Sequence, residues 1–141
     1  MIKVSPVDEQ MVSNKPELAL AVEAFITRNI QSAPKADKAW FAYETDGETF
    51  RILGFACCNI GTRIADVPVY HIIEGTTRQE KWAAMKAHEA LFARITGYIA
   101  DVVGSGTEAM FYIAPESQAH WEEFAKRVNG RQAHRFITGV D

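Results

Sequence analysis

The sequence has only two cysteines, and they are neighbours, Cys57 and Cys58. Adjacent side chains in a strand point to opposite faces, so this pair is not placed to bridge itself. No Cys/His spacing resembles a zinc site, and the expectation is a structural pair in a reducing compartment. Long apolar runs are missing too. Nothing approaches the roughly 18 residues that a membrane span needs, and Met1 to Pro6 lacks the apolar stretch of a secretory signal, so a soluble, unprocessed chain is expected. There is no excess of positive charge: the net charge is -3 and the pI about 5.8, which disfavours sequence-independent binding to nucleic acid. The one basic cluster, Lys126, Arg127, Arg131, His134 and Arg135, is diluted by Glu122 and Glu123 and reads as a solvated helix end. A nucleophile elbow is absent, and so is a dinucleotide-binding Gly-x-Gly-x-x-Gly, because Gly104-Ser105-Gly106 follows a helix and not a strand. No repeat or low-complexity tract interrupts the chain.

What is present suits one domain, since 141 residues with 48% hydrophobic content can bury a single core. Ile2 to Val7 alternates like a short strand closed by Pro6. Ser13 or Asn14 ahead of Pro16 and Glu17 marks a helix start, and Leu18, Ala21, Val22, Phe25 and Ile26 carry that helix to about Asn29. Ala39 to Thr45 and Thr49 to Asn59 read as strands joined at Asp46-Gly47, a pair that supplies the positive backbone angles of a tight hairpin. Gly54 within the second strand signals a bulge or a close backbone approach. A turn over Asn59 to Arg63 leads to a third strand, Val67 to Ile73. These three strands form an antiparallel meander, and the first strand can add at its edge.

The polar turn Glu74 to Arg78 then opens the longest amphipathic helix, with Trp82, Met85, Glu89, Phe92, Ile95 and Ile99 on roughly one face. Such a unit aims free backbone N–H groups at whatever precedes the helix. Gly104 to Gly106 stops it, Met110 to Ala114 is a buried strand, and a second amphipathic helix starts at Pro115-Glu116-Ser117. That helix buries Trp121, Phe124 and Val128 and ends at Asn129-Gly130. Ala133 to Val140 is the last strand.

This order resembles the GNAT acyltransferase fold over almost the whole chain. The resemblance rests on the hairpin Ala39 to Ala56 with Asp46-Gly47 and Gly54-Phe55, on the Val67 to Ile99 unit, and on the Ser117 to Phe136 ending. It implies an α+β domain whose mixed, mostly antiparallel sheet is flanked by three main helices. In the family, the turn before the long helix reads Arg or Gln, then x-x-Gly-x-Gly or Ala, and its amides hold the pyrophosphate of acetyl-CoA. The matching stretch here is Arg78-Gln79-Glu80-Lys81-Trp82-Ala83, with lysine at the first glycine. If CoA binds, the resemblance implies Ile73, Arg78, Lys81 and Ala83 as its contacts. Lys81 and Trp82 restrict how closely the backbone can meet a ligand, and Glu74 and Glu80 bring negative charge to the place of the phosphates.

A narrower resemblance, carried by Tyr70 to Thr76 and Ser117 to Val128, is to GNAT-like proteins of tailed phages, including internal virion proteins. It implies a non-catalytic structural or interaction protein with no cofactor, a virion or host protein as partner, and a place in the host cytoplasm or the virion. The alternatives are an acetyl-CoA-dependent N-acyltransferase with an atypical loop, and a phage protein that inhibits a host factor. An acetyl transfer needs a base and an acid around the central strands. The candidate bases are Glu44, His71 and Glu74, and the candidate acids are Tyr70, Tyr112 and Cys57. If the chain is an enzyme, His71, Glu44 and Tyr112 are its proton carriers. A histidine in an apolar strand is more often a hydrogen-bonded packing residue, and a tyrosine in a buried strand more often supplies packing than a proton. His88 and Glu89 read as the edge of the helix face.

Overall fold

A computed structural model describes residues 1–31, 35–61, 64–104, 106–112, 121, 124, 131–132 and 135–139. Among the described residues there are seven strands, β1 (Ile2–Pro6), β2 (Lys38–Thr45), β3 (Phe50–Ile60), β4 (Ile64–Ile72), β5 (Glu108–Tyr112), β6 (Arg131–Gln132) and β7 (Arg135–Gly139). They form one sheet in the order β1-β2-β3-β4-β5-β7-β6. The first four run as the expected antiparallel meander with β1 at its edge, while β4 and β5 are parallel. A parallel pair requires a long crossover, and α3 (Arg78–Val103) supplies it. Of the helix expected over residues 115–128, only Trp121 and Phe124 lie within the described residues, and both are helical and buried. The expected cap at Asn129-Gly130 lies outside them, as does most of the basic cluster.

One helix was not legible in the sequence. Residues Glu9–Asn14 form a short α1 ahead of α2 (Pro16–Asn29), started by Asp8, whose carboxylate accepts from the Met11 amide at 2.8 Å. The hairpin also differs from the expected tight turn. Only Gly47 has positive φ there, at 102°, and the loop spans Asp46 to Thr49. Instead of adopting a left-handed angle, Asp46 folds its carboxylate over the turn and accepts from the amides of Glu48 at 2.9 Å and Thr49 at 2.8 Å. These bonds hold its pKa below the usual carboxylate value.

The sheet is covered on both faces. Phe41, Tyr43, Phe55 and Cys57 pack with Leu18, Val22 and Phe25 of α2, and Trp40, Ala56 and Cys58 pack with Leu91, Phe92, Ile95 and Ile99 of α3. The two cysteines therefore face opposite sides, both free and both buried. Burial pushes their thiols up to about 11 for Cys57 and about 12 for Cys58, the latter also under the influence of Asp37 and Asp66.

The buried stripe of α3 is rotated from the expected one. Phe92, Ile95 and Ile99 are buried as expected, but Trp82 is 59% and Met85 44% exposed, and the core is met by Ala83, Ala87, His88 and Leu91. The reason is spacing: at its N-terminal half α3 lies against Ala42 and Leu53, and only alanine side chains fit that close approach. Among the described residues, no helix is long and apolar enough to cross a membrane.

Candidate functional site

Two bulges shape the middle of the sheet. On β3, the register against β2 slips at Leu53, and the adjacent Gly54 lies so close to β4 that an added Cβ would sit 2.6 Å from Ile72 Cδ1 and 3.0 Å from the His71 carbonyl. This is the close approach that Gly54 signalled. On β4, the register against β3 slips between Cys57 and Asn59, opposite Val67 and Pro68. Among the described residues, β4 and β5 pair from Ile64/Glu108 to Val67/Phe111, and β4 continues to Ile72 beside β3.

The α3 face of β4 and β5 is packed with aromatic rings. Trp121 lies 5.3 Å from Tyr70 of β4, 5.6 Å from Phe111 of β5 and 4.9 Å from His88 of α3, centroid to centroid. Phe124 lies 4.0 Å from His88. Within this box, the Tyr70 hydroxyl is 2.8 Å from His88 Nδ1 and 2.9 Å from the His88 carbonyl. A phenol has one proton. Both contacts are hydrogen bonds at once only if that proton goes to the carbonyl and Nδ1 carries the hydrogen that Tyr70 accepts, which assigns the His88 tautomer. Burial raises the Tyr70 pKa well above its ordinary value. Sequence reasoning placed His88 at the edge of the helix face; it is almost fully buried. The rotated stripe of α3 conceals this, because the pattern of large residues points elsewhere.

The end of β4 leads into the start of α3. Ile73 donates its amide to the Leu53 carbonyl at 2.9 Å. Thr77 caps the helix, its hydroxyl accepting from the Glu80 amide at 3.1 Å. The Glu80 carboxylate in turn lies 3.3 Å from the Thr77 hydroxyl and 3.4 Å from that of Thr76. The sequence is that of a capping box, Thr-x-x-Glu, here with the carboxylate on the two threonine hydroxyls and the chain's own anion at the positive end of the helix. Gly75 lies directly against the first turn: an added Cβ would collide with the Lys81 amide nitrogen and come within 2.6 Å of the Glu80 carbonyl carbon.

Several groups of this first turn are already used by the chain itself. Residues Arg78 to Ala83 all belong to the helix, and the Lys81 amide is bonded to the Thr77 carbonyl at 2.9 Å. The Glu80 amide is taken by Thr77, and the Glu80 carboxylate brings negative charge to the helix N-terminus. Of the residues implied as CoA contacts, Arg78 and Lys81 are exposed on the first turn, Ile73 is half-buried, and Ala83 faces the core.

The implied proton carriers are not brought together. Glu44 is on β2 and pairs with Arg51 at 3.2 Å, and strand alternation puts it on the face shared by Trp40 and Ala42. His71 lies on the other face, its ring 5.8 Å from that of Phe25 of α2. Tyr112, at the end of β5 and partly exposed, pairs with Arg135 of β7. Cys57 is a core thiol, and Glu74 is exposed in the turn. Among the described residues, no group of histidine, cysteine, aspartate and glutamate could hold a metal.

No family model matches the chain, and no curated protein matches it in sequence. Solved structures do match. A GNAT-family acetyltransferase from Staphylococcus aureus superposes with a TM-score of 0.61 at 7% identity, covering all of both chains. Arabidopsis thaliana NAA60, solved with acetyl-CoA, gives 0.59 at 10% identity over 99% of each chain. N-acetylglutamate synthase from Neisseria gonorrhoeae, solved with coenzyme A and N-acetyl-glutamate, gives 0.53 at 10% identity, over all of this chain and 35% of that one. The fold is therefore the α+β fold of the GNAT acetyltransferases. Fold alone assigns no reaction to it.

Proposed function

We propose that this protein is a non-catalytic member of that fold, a structural or interaction protein that does not use acyl-CoA. The observation that supports this reading is the crowded first turn of α3, where the Thr77–Glu80 cap and the close approach of Gly75 use the helix N-terminus at which a diphosphate would be sought. The aromatic box around Trp121 supports it, since the α3 face beside Tyr70 and Phe111 is filled by side chains. The separation of Glu44 from His71 by the sheet agrees. The assignment to a tailed phage, as an internal virion component in the particle or the host cytoplasm, rests on the sequence resemblance of Tyr70 to Thr76 and Ser117 to Val128. Mass spectrometry of purified particles tests it, and absence from the particles removes it. Inhibition of a host factor is the other use of such a surface.

One observation favours an enzyme as the second reading: Arg78 and Lys81 stand exposed on the first turn of α3. In that case the stretch from Glu74 to Ala83 would have to open to admit acetyl-CoA, with His71, Glu44 or Tyr112 moving protons. Thermal unfolding with and without acetyl-CoA separates the two. A ligand at a hundredfold excess over its dissociation constant stabilises by about 2.7 kcal/mol, which would shift the transition visibly. The inert reading expects no shift at millimolar acetyl-CoA or CoA, and micromolar binding would overturn it.

A further inference from the structure

Beside the β2–β3 hairpin, on the face covered by α2, lies an open cavity of about 490 Å³. Its walls come from β1, β2, β3 and the junction of α1 with α2, and among the described residues none comes from β4, β5 or α3. Tyr43 forms one wall. It is only 7% exposed, yet its hydroxyl has no hydrogen-bond partner among the described residues. Lys3, the cross-strand neighbour of Tyr43, lies on the same face and lines the same cavity.

Another wall is the start of α2. Pro16 brings no amide hydrogen, Lys15 stands at the N-cap with no side-chain bond to the helix, and the Ala19 amide is bonded to the Lys15 carbonyl at 3.0 Å. Ser13 and Asn14, the caps expected from the sequence, end α1 instead. The amides of Glu17 and Leu18 are thus left without acceptors among the described residues, at the positive end of a 14-residue helix. The start of α3, by contrast, is satisfied by its own Thr77.

Charge narrows the ligand. Lys3 and Lys15 are exposed, and neither is ion-paired among the described residues, while Glu17 and Glu48 bring two carboxylates to the same cavity. The lining side chains sum to zero, which disfavours a phosphate dianion. The phenol and the two helix amides add donors without adding charge, a supply matched to one negative group. The remaining wall is apolar, made by Leu18, Phe50 and the Tyr43 ring. We infer that this cavity binds a small monocarboxylic acid with an apolar body, its carboxylate accepting from the Tyr43 hydroxyl and the Glu17 and Leu18 amides and its body lying against Phe50. The site shares no residue with the start of α3, so its test is separate from that of the proposed function.

A chemical-shift titration of the isotope-labelled full chain with benzoate, benzamide and inorganic phosphate tests this. Benzoate is expected to move the Glu17 and Leu18 amide signals with a dissociation constant of about 1 mM or tighter. Benzamide keeps the ring and lacks the charge, and it should bind at least about tenfold more weakly, as should phosphate. Tyr43→Phe removes a hydroxyl that no described residue uses, so the melting temperature should be unchanged while benzoate affinity falls at least about fivefold. Lys15→Gln, at an exposed position, should weaken benzoate as well, whatever becomes of the buried site. Glu17 and Leu18 signals unmoved by benzoate up to about 10 mM overturn the inference. So does benzamide or phosphate binding as tightly as benzoate, or benzoate binding indifferent to both substitutions.

Discussion

Tyr70 and His88 show how one buried polar pair can be satisfied inside an apolar box. The phenol bonds both the ring and the carbonyl of the same histidine, and the rings of Phe111, Trp121 and Phe124 exclude water around them. Removing the hydroxyl takes two buried contacts from His88 at once, a larger loss than the net worth of one hydrogen bond. Tyr70→Phe is therefore expected to destabilise the fold by about 1–3 kcal/mol, measured by urea denaturation. An unchanged midpoint would show that the pair contributes nothing. Neither partner was evident as a pair beforehand: Tyr70 was read as a candidate acid and His88 as a helix-edge residue, because a contact across 18 positions leaves no local pattern.

The start of α3 was partly legible. The strand, the turn and the helix lie close to where apolar periodicity placed them, and Lys81 and Trp82 already argued against a bare phosphate-binding turn. The capping box is a sequence signature in its own right, Thr77 followed three positions later by Glu80. What the residues did not disclose is that Gly75 folds back against the first turn. Its role is close approach and not a positive φ, so Gly75→Ala is expected to cost stability through a backbone collision. A lowered melting temperature in Gly75→Ala, larger than that of Thr77→Ala, is the expected result. The cap alone is worth about 1 kcal/mol, and equal effects would mean that the turn yields to a methyl group. The rotated face of α3 has the same origin: Ala83 and Ala87 are chosen by the nearness of the sheet, and Trp82 is displaced outward.

Cys57 and Cys58 report on the molecule as a whole, because each thiol is buried in a different layer of the core. With thiol pKa values of about 11 and 12, neither offers much thiolate near neutral pH, and reagent reaches them only when the sheet opens. Alkylation at pH 8 is expected to be negligible in the native protein and to rise with denaturant in step with loss of circular dichroism. Rapid labelling of either cysteine in folded protein would contradict a core common to both layers. Apart from α1 and β6, the element order, together with the meander, the opposed cysteines and the glycine at the β3 bulge, followed from the amino-acid order, since periodicity, turn chemistry and side-chain alternation are local properties. The aromatic box around Trp121, the Tyr70–His88 pair and the parting of Glu44 from His71 came only with the packed chain, because each depends on which distant segments meet across the sheet.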